Sequence, residues 1–164
     1  MGTTMPEARK KGQFTFRAAA VLFILSAIGE ILFIVSEIPL FGEIRGGVVA
    51  GIYHVIYFAL FAALGAGLWK GEKWAYSLVF VTTALETLDL LQFLFFPNTM
   101  KAYEESVLNQ LSMIESELQA AGVDTALALQ AILQTVQITC VVVMLCWWGF
   151  ALYTYLRRDY FKSA

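Results

Sequence analysis

Five ionisable side chains stand in stretches of this sequence that are otherwise apolar. Glu30 and Glu37 fall in the first stretch, His54 in the second, and Glu86 and Asp89 in the third. On a helix, Glu86-x-x-Asp89 puts two carboxylates on one face, and Thr82 joins them there. Ser26, Glu30 and Glu37 share a narrow stripe in the same way, and His54 shares its face with Gly47, Gly51 and Gly65. Gln130, Gln134 and Gln137 form a further polar stripe, and Gln92 lies one turn beyond Asp89.

No Lys or Arg lies among these carboxylates to neutralise them. A carboxylate without a partner in an apolar medium is prohibitively costly, so it takes up a proton or holds a cation. The expected occupant is a proton, a metal ion, an organic cation, or water in an outward-facing cavity. The expected site is Glu30, His54, Glu86 and Asp89, with Glu37, Gln92 and Gln137 as secondary members.

Two chemistries fit these side chains. Carboxylates crowded in a low dielectric hold protons in common, and an imidazole exchanges protons with them. An oxygen-rich set with one imidazole also suits a divalent metal, which makes Glu30, His54, Glu86 and Asp89 the expected ligands of such a cofactor. The paired Glu-x-x-His pattern of carboxylate di-iron bundles is not met, because the chain has one histidine. The same groups also fit an intramembrane enzyme that protonates a lipid-soluble substrate and stabilises the charge formed. A structural or accessory subunit of a membrane complex is a third reading, in which the polar groups only bond helices to one another.

The elements that must carry these residues follow from the bulk of the sequence. Hydrophobic residues make up 59% of 164 and charged residues 15%, and the mean hydropathy is +0.69. A soluble domain averages roughly 45–50% apolar and about 25% charged, so lipid is the natural solvent for this chain. A bilayer core needs roughly 20 apolar helical residues. Four segments supply them: about 18–40, 48–69, 74–96 and 133–156. The expected fold is all-α, a four-helix transmembrane bundle forming one integral membrane domain over 1–164.

Basic residues set the expected orientation. Arg9, Lys10, Lys11 and Arg17 precede the first span, Lys70 and Lys73 lie between the second and third, and Arg157, Arg158 and Lys162 follow the fourth. The two other connections carry Arg45 and Lys101. Both termini are therefore expected in the cytoplasm of a cell or other energy-transducing membrane. Counting roughly 1.5 Å per residue from the basic side puts the four principal site residues roughly 20–24 Å deep, in the outer half, with Glu37 near the outer surface.

Between spans three and four, Val107, Leu111, Ile114, Leu118 and Ala121 repeat at helical spacing. They predict an outer amphipathic helix over about 101–121, stopped by Gly122. Asp124 then caps a helix starting near Thr125, so that an extracytoplasmic helical hairpin projects from the bundle.

Cys140 and Cys146 fall on one helix with their side chains pointing apart, which disfavours a disulfide between them. No phosphate loop, nucleophile elbow, zinc-binding His pair or redox Cys pair is present, nor a basic run suited to nucleic acid. Expected partners are the lipid bilayer and further copies of the chain or a larger membrane complex.

Overall fold

The computed structural model describes residues 12–120 and 122–162. Arg9, Lys10, Lys11 and Ala121 lie outside the described residues, as do the side chains of Glu117 and Lys162. In chain order the elements are α1 (Gln13–Leu32), β1 (Ile38–Leu40), β2 (Glu43–Arg45), α2 (Gly47–Lys70), α3 (Lys73–Phe95), α4 (Pro97–Met113), α5 (Glu115–Ala120), α6 (Thr125–Leu156) and α7 (Asp159–Lys162). Helices α1, α2, α3 and α6 are long and apolar enough to cross a membrane, which makes this a multi-pass membrane protein by length and composition.

Spans two and three begin and end within a residue of where the sequence places them. Span one does not. The apolar run to Leu40 predicts a helix through that residue, yet α1 stops at Leu32 and turns through Phe33–Ser36, where the Ser36 N–H donates to the Phe33 carbonyl over 2.8 Å. Pro39 disfavours helical backbone at the residue before it, and Ile38–Leu40 runs as a strand instead. That strand pairs antiparallel with β2, Leu40 opposite Glu43. Phe41 and Gly42 close the hairpin with φ of 47° and 92°. This two-residue turn, left-handed at both positions, is the form that matches strand twist. An added Cβ on Gly42 would meet the Asn98 Cβ at 2.8 Å, so the hairpin tip rests directly on the start of α4.

The amphipathic helix expected over about 101–121 also differs from expectation. It begins at Pro97, whose fixed φ suits a first helical position, and breaks at Ile114 before α5. Val107 and Leu111 are buried, while Ile114 is exposed at that break. Helix α4 packs on both strands, α3 and α6. As the sequence indicates, Gly122 turns the chain at φ 72°. Asp124 then caps α6, its Oδ1 accepting from the Ala126 N–H at 2.7 Å.

Packing is most extensive between α1 and α2, then between α3 and α6. Gly65 permits the first approach, since an added Cβ would meet Ile24 at 2.8 Å and the Ala20 carbonyl at 3.0 Å. The apolar core fills the end where α1 and α3 begin and α2 and α6 finish. Phe16, Ala20, Leu64, Leu68, Ala75, Val79 and Ala151 meet there, closed by Tyr160 and Phe161 of α7. Phe16 stacks on Tyr160 at 4.6 Å, and the Tyr160 hydroxyl donates to the Leu68 carbonyl at 2.8 Å. With this end filled by hydrocarbon and aromatic rings, the ionisable residues gather at the other.

Candidate functional site

Each of the four principal site residues is delivered by a helix backbone. Glu30 stands two residues before the end of α1. His54 lies about two turns into α2, while Glu86 and Asp89 occupy the last three turns of α3. Nδ1 of His54 is 2.7 Å from Oε2 of Glu30, which joins α1 to α2. His54 is buried, and its Nε2 has no hydrogen-bond partner.

Asp89 joins α2 to α3. The Tyr53 hydroxyl donates to its Oδ2 at 2.9 Å, and the Gln92 amide donates to its Oδ1 at 2.8 Å. Gln92 is fully buried, and its Oε1 accepts the Phe41 N–H at 2.9 Å. A continuous chain of hydrogen bonds therefore runs from the hairpin tip through Gln92 and Asp89 to Tyr53. The Tyr53 ring in turn lies tilted by 31° against Tyr57, their centroids 4.5 Å apart.

Glu30, Glu86 and Asp89 lie within electrostatic range of one another, and Cys140 brings α6 within range of Asp89. Glu86 is half-buried, and among the described residues no hydrogen bond or ion pair reaches it. His54 is the one basic partner of these three carboxylates among the described residues. Arg45 instead pairs with Glu43 on the hairpin at 2.6 Å.

Other polar residues expected nearby go elsewhere. Glu37 lies beyond α1, exposed, with its side chain against Gly46. Ser26 is exposed and lines a groove between α1 and α6 with Cys146 and Trp147. Thr82 donates to the Leu78 carbonyl of its own helix at 2.9 Å. Gln130, Gln134 and Gln137 face an open groove with Glu104 and do not join the carboxylates. The stripe expected on span one fails at Glu37, which lies beyond the end of α1, and α6 presents its glutamines to α4. Of the secondary residues, Gln92 alone enters the network, as its central link.

Among the described residues, no three His, Cys, Asp or Glu side chains converge as a metal ion would require. Asp89 instead accepts one hydrogen bond on each oxygen, from Tyr53 and Gln92, and Glu30 faces the imidazole.

Sequence reasoning passed over Tyr53 and Tyr57. A signal was available: at a spacing of four they share one face of α2, and buried tyrosines seek a partner for the hydroxyl. What this arrangement can do chemically is hold and redistribute protons. It has three carboxylates in mutual range, an imidazole with one nitrogen free, and two phenols at their edge. No family model, curated protein or solved structure matches the chain.

Proposed function

We propose that this protein is a membrane-embedded, cation-binding protein of the transport-related kind, and that its cation is the proton. The site is Glu30, His54, Glu86 and Asp89, and both termini face the cytoplasm. The observation that carries this reading is Glu86. It is a half-buried carboxylate beside two others, with no donor and no basic side chain on it among the described residues. A carboxylate so placed is stabilised by a proton, and crowding makes that proton common to the group.

His54 extends the same logic. One nitrogen contacts Glu30 and the other is buried without a partner. The ring can therefore take a proton from one side and release it on the other, as an imidazole relay does. Proton exchange needs neither an apolar substrate chamber nor a metal, and the three carboxylates and the imidazole can each take part in it.

The test is proton flux. The full chain is reconstituted in liposomes with a pH-sensitive dye inside, and a pH step is applied with the potential clamped. The expected result is dye response above protein-free vesicles, lost to that background in Glu30→Gln and Glu86→Gln. Glu104→Gln, in the outer groove, keeps the wild-type flux. Wild-type protein indistinguishable from empty vesicles, or full flux in Glu86→Gln, would defeat the proposal.

A further inference from the structure

The opposite end of the bundle carries a cleft of about 320 Å³, lined by Lys73, Tyr76, Arg158 and Phe161. Lys73 opens α3, and Arg158 sits in the turn between α6 and α7. Two cations thus converge on one space, and among the described residues neither makes an ion pair. Both side chains are exposed, so an anion that enters the space is attracted by both without displacing an existing partner.

The cleft is built to keep its shape. The Phe161 ring is buried and meets Tyr76 edge-on at 5.9 Å, while the neighbouring Tyr160 hydroxyl fixes α7 to the Leu68 carbonyl. Its surroundings favour the same sign of ligand. Arg17, Lys70, Lys73, Arg157 and Arg158 gather at this end against Glu72 and Asp159.

Depth selects the source of the anion. Trp69 and Trp74 are about half exposed at this end, where α2 finishes and α3 starts. Half-exposed tryptophans at the ends of apolar helices lie at headgroup level. Arg17 lies over the Trp69 ring at 5.2 Å, so the basic residues share that level. A cleft that offers two cations beside two aromatic rings at headgroup depth has the chemistry a phospholipid needs, cations for its charged head and rings for its glycerol.

We propose that this cleft binds the phosphate of an anionic phospholipid, such as phosphatidylglycerol, in the leaflet that meets the protein's described termini. The site is independent of the proton site, because the two occupy opposite ends of the bundle.

The test titrates the detergent-solubilised full chain with short-chain phosphatidylglycerol while its melting temperature is followed. Phosphatidylcholine of the same chain length and inorganic phosphate form separate arms. The expected result is a rise with phosphatidylglycerol alone. Lys73→Gln/Arg158→Gln weakens that response about thirtyfold, from the usual contribution of each basic side chain at an anionic surface. Lys70→Gln/Arg157→Gln removes the same charge outside the cleft and weakens the response less than the cleft variant does, because its side chains do not meet the bound headgroup. Should the cleft double variant not fold, Arg158→Gln alone carries the comparison, with about a fivefold loss expected. An equal rise with inorganic phosphate overturns the lipid assignment. Equal losses in both double variants, or an unchanged response in the cleft variants, overturn the site.

Discussion

At the residue scale, Gln92 holds the polar end together although it carries no charge. Its amide spends one end on Asp89 and the other on the Phe41 N–H, and it does so fully buried. Phe41 is the one described non-glycine residue with positive φ, a conformation that bulky side chains seldom adopt without support. The bond from Gln92 is that support. Gln92→Leu keeps the volume but leaves a backbone donor and a carboxylate oxygen without their partner. The expected cost is about 1–3 kcal/mol, read by unfolding in mixed micelles, together with faster hydrogen exchange at the Phe41 amide. Unchanged exchange at that amide would show that the hairpin is held by other means. The sequence made Gln92 visible as a polar residue one turn beyond Asp89, but its partner across the chain was not. A side chain's neighbours on its own helix follow from periodicity; a bond to the backbone of a turn 51 residues away does not.

At the element scale, the helix pair with the most extensive packing also carries the Glu30–His54 contact. Gly65 sets how near α1 and α2 come, because its missing side chain leaves room for Ile24 and for the Ala20 backbone. Gly65→Val forces the Ala20 carbonyl, which cannot move aside as a flexible side chain would. The expected loss is about 1–3 kcal/mol in the same unfolding assay, with lowered flux as the carboxylate and imidazole are drawn apart. Wild-type stability in this variant would mean that the helices separate without cost. Elements whose limits are set by hydrophobic length were legible in the sequence: α2, α3 and the capped start of α6 all follow from runs, glycines and Asp124. The end of α1 was not, because residues 33–40 stay as apolar as the helix before them. Hydropathy does not separate a span from an apolar hairpin packed on the bundle's end, and Pro39 acts on backbone shape without changing hydropathy. Ile114 escaped for the same reason, since the apolar stripe runs on across the break.

At the scale of the whole molecule, the protein divides its chemistry by position. Aromatic packing and basic residues occupy one end, and carboxylates, phenols and the hairpin occupy the other. The sequence implied this polarity through the distribution of Lys and Arg, but it did not reveal that α7 folds under the bundle to seal the basic end. The early end of α1 has a further consequence. At 20 residues it is the shortest of the four long helices, about 30 Å, and matches the hydrocarbon thickness of an average bilayer with nothing to spare. Glu30 rides at its tip. A thicker bilayer must draw that tip inward or thin around it, while a thinner one leaves it in the headgroups, and either change alters the water that reaches the Glu30–His54 pair. On the proposed proton-carrying function, flux should therefore peak in lipids whose hydrocarbon core is about 30 Å and fall in longer-chain lipids, a trend measurable in liposomes of graded acyl length and refuted by a flat response. The protein would then report on the thickness of its own membrane, with α1 as the ruler and Glu30 as the mark at its end.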